Sequence, residues 1–351
     1  MDALVYLDAR AVGPGQAPFI ILEVGINHNG ELDRALRMVA AARDCGADAV
    51  KFQTFKATEF VGDPDLMFSY QSQGRTVTES MLAMFQSMEF SPAQWRIISQ
   101  ACGDAGIMFL STPQNVGDLD ILLELGLPAI KVGSDDFNNL PLLRAYAKHG
   151  LPLILSCGMA DMEEVARSLE TVANAGNPPV VLLVCTSQYP TPPADANLLR
   201  LRTLRQAFPS LVLGFSDHTE GYAAASIAAA LGASVFEKHF TLDHGLPGPD
   251  HWFSVDVDGA RAWVDSIRRS YVYLGDGIVR PTAAEMEMRS LARRSVTAIR
   301  PISTGEIFSL QNIGLRRPGT GLGPDRLESA LGRRSPRDIP ERQALKETDI
   351  A

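Results

Sequence analysis

Two apolar runs each break into a polar cluster that ends in histidine: Leu211-Val-Leu-Gly-Phe-Ser-Asp-His218 and Val235-Phe-Glu-Lys-His239. Residues 221–231, between them, are alanine-rich and read as a helix. Strand, helix and strand make a parallel β-α-β unit, which carries both strand C-termini to the same edge of the sheet. Two imidazoles at that edge suit one divalent metal with open positions, able to polarise a carbonyl. Each histidine alone also has an ordinary reading. His218 lies between two good capping residues, Asp217 and Thr219, and His239 fits a satisfied core histidine.

Other apolar runs also end in chemistry-bearing residues. In chain order they are Glu23, Lys51 with Gln53, Ser111 with Thr112, Lys131 with Ser134 and Asp136, Ser156, Tyr189, Ser216 and Glu237. Lys51 and Gln53 are two apart and share a strand face, as do Glu237 and His239. A charge inside an apolar strand is costly to bury unless it is paired or meets a ligand. Packing does not explain that cost at Glu23, Lys51, Lys131 and Glu237 together. Two lysines with several hydroxyls suit a phosphate or phosphate-carboxylate ligand. A carboxylate at the first strand end suits a general base or the stabiliser of developing positive charge. His28, in a Gly/Asn-rich turn, and His244 and His251, after the last strand, are weaker candidates for the same site.

Eight strand-like runs alternate with helical stretches: 19–25, 49–53, 107–112, 129–134, 153–158, 180–189, 211–217 and 235–241. Eight such units predict a closed (β/α)₈ TIM barrel, whose reactive groups sit at the strand C-termini. A doubly wound sheet would put a glycine fingerprint after its first strand. Here that strand ends in Glu23-Val-Gly-Ile-Asn-His-Asn-Gly, without it. The stretch 54–90 is too long for an ordinary βα turn and predicts a lid or site wall. From about residue 289 the pattern changes to short apolar runs and turn signals, the mark of a small β-rich domain. The expected division is therefore 1–285 and 286–351.

Charge follows the same division. From Met288 onward there are 12 basic and 7 acidic residues, which leaves −14 on the remainder of a chain of net charge −9. The basic tail has no aromatic series for stacking bases, so no nucleic-acid partner is expected. No apolar run is long enough for a membrane span, and the first residues lack a secretory pattern, so a cytoplasmic protein is expected. The four cysteines have no framework spacing and read as buried small side chains in a reducing compartment.

The chain resembles the sialic acid (N-acetylneuraminate) synthase family. The resemblance runs through Glu23-Val-Gly-Ile-Asn-His-Asn-Gly, Val50-Lys-Phe-Gln-Thr, Lys131-Val-Gly-Ser, Leu155-Ser-Cys-Gly-Met159, Cys185-Thr-Ser-Gln-Tyr-Pro-Thr-Pro, Phe215-Ser-Asp-His-Thr, Glu237-Lys-His-Phe-Thr and Gly248-Pro-Asp-His. The tail is similar to that family's antifreeze-like (SAF) domain through Arg293-Arg-Ser-Val, Gly305-Glu and Arg317-Pro-Gly-Thr-Gly. The motifs occur in the family's order over nearly the whole chain.

The resemblance implies a transferase that condenses phosphoenolpyruvate with an N-acetylated aldose and releases phosphate. It implies a divalent metal, Mn²⁺ or Mg²⁺, held by His218 and His239, and a domain-swapped homodimer. Lys51, Thr112, Lys131, Ser134, Ser156 and Ser216 would bind phosphoenolpyruvate. Glu23, Asp136 and Glu237 would be the catalytic carboxylates, with Asp136 on the sugar side and Glu23 aiding water addition at C2. Gln53, Tyr189 and Asp250 would line the sugar end, and Arg317 would reach the N-acetyl group from the partner subunit. N-acetylmannosamine is the expected sugar. The siblings are a 2,4-diacetamido-trideoxyhexose, giving legionaminate or pseudaminate, and the 6-phosphate of N-acetylmannosamine. Other classes are a non-catalytic carbohydrate- or ice-binding protein and a lysine- or metal-dependent aldolase. The chain departs from many bacterial relatives in having Asp135-Asp136 where they carry Gly-Glu, and Ser187 where some carry asparagine. Both departures bear on sugar identity rather than on reaction class.

Overall fold

Alternation along the first long strand, β1 (Phe19–Gly25), decides which side chains meet inside the fold. Phe19 and Ile21 join one buried apolar cluster, whereas Ile20, Leu22 and Val24 join another. The first cluster fills the barrel interior and the second lies between strands and helices. The computed structural model describes residues 4–351, which fall into two units divided between Gly275 and Asp276.

In the first unit, β1 is followed by β2 (Ala49–Thr54), β3 (Met108–Pro113), β4 (Ile130–Val132), β5 (Leu153–Ser156), β6 (Val180–Cys185), β7 (Val212–Ser216) and β8 (Val235–His239). All their pairings are parallel, in the order β3-β2-β1-β8-β7-β6-β5-β4. Strands β3 and β4 lie side by side without a backbone ladder, so the barrel is nearly closed. The outer helices are α1 (Leu32–Asp44), α2 (Pro92–Ala105), α3 (Val116–Glu124), α4 (Leu140–Ala147), α5 (Met162–Asn174), α6 (Arg200–Ala207), α7 (Ala223–Ala230) and α8 (Val257–Leu274). Their starts follow capping chemistry. Ser91 with Gln94 and Asp161 with Glu164 form capping boxes at α2 and α5.

The barrel is plugged at its N-terminal end. The hairpin Val5–Leu7 with Arg10–Val12 adds Val5, Leu7 and Val12 to an interior layer that includes Phe19, Ile21, Leu110 and Ile154. One step further along the strands the interior turns ionic, with Glu23, Lys51, Lys131 and Glu237 all buried.

The long stretch after β2 is not loose coil. It holds a short helix (Ala57–Phe60), an antiparallel hairpin (Met67–Ser72 with Arg75–Ser80) and a helix (Met81–Met88). Gln73 and Gly74 both have positive φ, as a two-residue type I′ hairpin turn requires. Beneath the hairpin, Phe55, Phe60 and Phe85 pack edge to face.

The second unit starts with a helix (Ala283–Ala292) whose capping box pairs Thr282 with Glu285. The periodicity of the tail had not suggested this helix. A two-stranded sheet follows, Ser295–Ala298 with Ile313–Arg316, over a core that includes Val296, Phe308, Ile313, Ile339 and Leu345.

Candidate active site

At the C-terminal mouth of the barrel the strand ends enclose a cavity of about 890 Å³. Register explains why distant residues meet there. Glu23 pairs with His239 on β8 and with Lys51 on β2, so three reactive side chains lie in one row across three strands. Ser216 on β7 lies opposite Glu237 on β8.

The floor is a set of interlocked charges. Lys51 Nζ is 2.6 Å from Glu23 Oε2 and donates to Thr112 Oγ1 at 3.1 Å. Gln53 Nε2 donates to the other Glu23 oxygen at 3.4 Å. Lys131 Nζ donates to Ser156 Oγ at 2.8 Å and to the Val132 carbonyl at 2.9 Å, with Glu237 Oε1 at 3.8 Å. Ser216 donates to the same Glu237 oxygen at 3.4 Å. Burial raises the Glu23 carboxyl, Lys51 opposes it and Glu237 adds to the rise, so that it reaches about 7. Burial also acts against ionisation of Glu237, but Lys131, Lys51 and His218 outweigh it and hold this carboxyl below its ordinary value. Burial likewise works against charge on Lys51, and here Glu23 and Glu237 prevail. For Lys131 desolvation prevails and its pKa falls. The two carboxylates therefore differ: one is poised near neutrality and the other stays ionised.

The two histidines stand beside this floor, with ring centroids 5.4 Å apart. His218 Nδ1 lies 2.8 Å from the Thr186 carbonyl, which can only accept. That bond puts a proton on Nδ1; burial acts against charge on this ring, but Cys185 and the Thr186 carbonyl outweigh it and raise its pKa, so a cation would take Nε2 in place of a proton. His239 Nδ1 is buried without a hydrogen-bond partner, and desolvation keeps this ring neutral. His239, neutral and with an unsatisfied nitrogen, beside His218, whose Nδ1 is held by the Thr186 carbonyl, fits a divalent cation. No third His, Cys, Asp or Glu completes a set with them among the described residues, so the remaining positions would be open to water or substrate. Tyr189 covers the pair, its ring 4.1 Å from His218 and 5.6 Å from His239.

The outer part of the cavity is built differently. Ser134 Oγ accepts from the Gly158 N–H at 3.0 Å. A side chain at Gly158 would collide with Ser134 Oγ at 2.6 Å and Ser187 Oγ at 2.5 Å, so only glycine lets these loops approach. Asp250 lines the wall, its carboxyl raised to about 6 by burial. Phe68, Tyr70 and Gln71 from the hairpin and Trp252 and Phe253 from the loop after β8 complete it. The hairpin is tied to that loop by Gly248 N–H to Ser72 Oγ at 3.1 Å and by Gln73 Nε2 to the Gly245 carbonyl at 2.9 Å.

Ser111, a strand-end hydroxyl, is turned away from the cavity, its Oγ 2.7 Å from Thr54 Oγ1; of the fifteen residues to which the resemblance gives a role, thirteen line the cavity. Two do not join them. Asp136 is turned away, its Oδ1 accepting from Asn139 Nδ2 at 2.9 Å at the start of α4, and Asp135 takes its place on the wall. Arg317 belongs to the second unit, on the turn after its second strand. Of the weaker candidates, His28 is buried and stacked on Phe90 at 4.2 Å. His251 bonds Thr241 and Asn29, and His244 lies 2.7 Å from the Ser254 carbonyl. The aromatic hairpin wall is what sequence reasoning did not resolve. Alternation on both sides of the Gln73-Gly74 turn was the available signal.

Comparison with known proteins agrees with this architecture. Residues 38–279 match the model of the NeuB family, and residues 293–351 match the SAF domain. The chain belongs to the NeuB family. It is 39% identical over 326 residues to an N,N'-diacetyllegionaminic acid synthase of Legionella pneumophila, covering 92% of this chain and 91% of the relative. It is 34% identical over 330 residues to the human N-acetylneuraminate-9-phosphate synthase, covering 93% and 90%. The crystal structure of an N-acetylneuraminic acid synthetase from Leptospira borgpetersenii, in complex with citrate, superposes with a TM-score of 0.73 at 32% identity. It covers 82% of this chain and 95% of that one.

Proposed function

We propose that this NeuB-family chain is a nonulosonic acid synthase, condensing phosphoenolpyruvate with an N-acetylated aldose and releasing phosphate. The observation that carries this reading is the meeting, in one cavity, of two lysines held by buried carboxylates with a pair of imidazoles. The lysines with Thr112, Ser134, Ser156 and Ser216 suit the phosphate and carboxylate of phosphoenolpyruvate. The lysine-dependent form of the aldolase reading needs one lysine free as a Schiff-base nucleophile. Lys51 is instead engaged by Glu23 and Lys131 by Ser156.

In the proposed reaction His218 and His239 hold a Mn²⁺ or Mg²⁺ ion, which when bound supplies Lewis-acid polarisation of the sugar aldehyde. The lysine floor fixes phosphoenolpyruvate with C3 facing that aldehyde carbon, and the new C–C bond leaves C2 electron-deficient. Glu23, its carboxyl raised to about 7, would take a proton from the water that adds at C2. The C2–O bond then breaks and phosphate leaves. Positioning and fixed charges supply most of the acceleration.

For the sugar we infer an unphosphorylated aldose. Lys51 and Lys131 are the only lysine or arginine side chains lining the cavity among the described residues, and both lie on its floor. The outer wall carries aromatic, acidic and neutral polar side chains but no cation among the described residues, which does not suit a second phosphate. N-acetylmannosamine fits, and the aromatic wall favours the diacetamido-trideoxy sibling as the second reading, since deoxygenated carbons gain from apolar contact. Asp135, Gln53, Tyr189 and Asp250 would meet its polar groups. Arg317 would reach the N-acetyl group across a homodimer. No helix is long and apolar enough to cross a membrane, and a cytoplasmic location is part of this proposal.

The test is phosphate release from phosphoenolpyruvate with Mn²⁺, offering N-acetylmannosamine, its 6-phosphate and the 2,4-diacetamido sugar in parallel. Release with an unphosphorylated sugar, abolished by chelator, is the expected result. Release with the 6-phosphate alone would overturn the substrate assignment, and none with any sugar would overturn the synthase reading.

A further inference from the structure

One ionic pair at the mouth faces away from the cavity. Alternation along β8 turns Glu237 and His239 inward and sends Phe236 and Lys238 toward the helices. The corresponding outward positions near the ends of other strands carry Val24, Phe52, Val132, Leu155 and Val184, all in the apolar layer under the helices. Lys238 is 3% exposed there and Asp217 is 0% exposed. Apolar side chains would fill this space at less cost in desolvation.

The bonds of this pair converge on the two histidines. Lys238 Nζ is 3.1 Å from Asp217 Oδ2 and donates to the Thr219 carbonyl at 2.5 Å. One ammonium thus grips the residue before and the residue after His218, while its own backbone leads directly into His239. Asp217 is saturated. Its Oδ1 accepts from the Thr219 N–H at 2.9 Å and from Thr219 Oγ1 at 2.7 Å, and its Oδ2 accepts from Trp263 Nε1 at 2.8 Å. Trp263 is itself fully buried in α8, so the cluster is anchored to the helix layer. On the opposite side His218 is held by the Thr186 carbonyl and by the Thr191 N–H, which donates to the His218 carbonyl at 2.8 Å.

We propose that Lys238, Asp217 and Trp263 form a positioning lock that sets the spacing of His218 and His239 for the divalent ion. This inference rests on the metal reading of the two histidines. The lock touches neither substrate nor ion. It acts by restricting the backbone on both sides of His218 and beside His239, as partners behind metal-binding histidines do.

The experiment is a Mn²⁺ titration of the full chain, followed by the electron paramagnetic resonance signal of free Mn²⁺ and without substrates. The double variant Asp217→Asn/Lys238→Met replaces both charges with neutral groups of similar shape, so no buried charge is left unpaired. It is expected to fold, as read by circular dichroism melting. It should bind Mn²⁺ about 10- to 100-fold more weakly, with phosphoenolpyruvate affinity within about twofold of the parent. Trp263→Phe keeps an aromatic ring and the ion pair, removes the indole N–H that Asp217 accepts, and should weaken Mn²⁺ by a smaller factor. A folded double variant with parental Mn²⁺ affinity overturns the lock. If the double variant does not fold, unchanged affinity in Trp263→Phe overturns it instead. A parent chain that leaves the Mn²⁺ signal undiminished overturns the metal reading and the lock together, an outcome distinct from a variant that binds as the parent does.

Discussion

Lys51 and Glu23 face each other across the β1–β2 ladder, ammonium to carboxylate at 2.6 Å, and both are almost wholly removed from solvent. Breaking such a pair from one side leaves a buried charge without its partner. Lys51→Met is therefore expected to destabilise the barrel by about 3–5 kcal/mol, read by urea denaturation. Glu23→Gln keeps the shape and lets Lys51 keep Thr112. It should retain the fold and lower phosphate release by about 100-fold or more. A Glu23→Gln enzyme with parental turnover would remove Glu23 from the reaction.

Neighbouring carboxylates separate wall from scaffold. Asp135 lines the cavity, whereas Asp136 accepts from Asn139, whose Oδ1 in turn accepts from the Leu142 N–H at the start of α4. Asp135→Asn should raise KM for the sugar by about tenfold, the size of one charge-assisted hydrogen bond, and leave KM for phosphoenolpyruvate unchanged. Asp136→Asn keeps an acceptor for Asn139 and should leave both KM values unmoved and stability within about 0.5 kcal/mol of the parent. Steady-state kinetics with each substrate varied in turn decides between them.

His28 makes stability depend on pH. Burial first, then Arg34 and His251, push its pKa from 6.5 down to about 3. The folded chain therefore keeps this ring neutral where the unfolded chain would protonate it. Its contribution is present above pH 6.5 and is lost progressively as pH falls toward 3, at about 1.4 kcal/mol per pH unit within that window. His251, depressed to about 4 by burial above all, adds to the same slope. His28→Phe keeps the stacking on Phe90 and should remove up to about 2 kcal/mol of the stability lost between pH 6 and pH 4.5. Urea midpoints at those two values provide the check, and an unchanged slope would refute the account.

The proposed function would have Arg317 meet the sugar's N-acetyl group. Arg317→Ala should raise KM for the sugar by about tenfold or more and spare phosphoenolpyruvate affinity. Equal loss of both would refute the role. Gel filtration beside the kinetics tests the homodimer that the role requires.

The sequence by itself carried the barrel. Eight apolar runs separated by helical stretches admit few arrangements, because parallel strands must be linked by crossovers of one hand. It also exposed the charged residues at the strand ends, since Glu23, Lys51, Lys131 and Glu237 interrupt runs that packing would keep apolar. Tertiary structure alone decided which of these side chains meet. Register across β8, β1 and β2 aligned His239, Glu23 and Lys51, and a composition or spacing argument does not contain register. One hydrogen bond from Asn139 took Asp136 off the wall and left Asp135 there. The stretch 54–90 was readable as a wall by its length, but its aromatic hairpin became visible only where Phe68 and Tyr70 closed over the cavity. Asp217 had read only as a capping residue. Its bond to a buried lysine depends on the direction of two neighbouring strand ends, which local sequence does not specify.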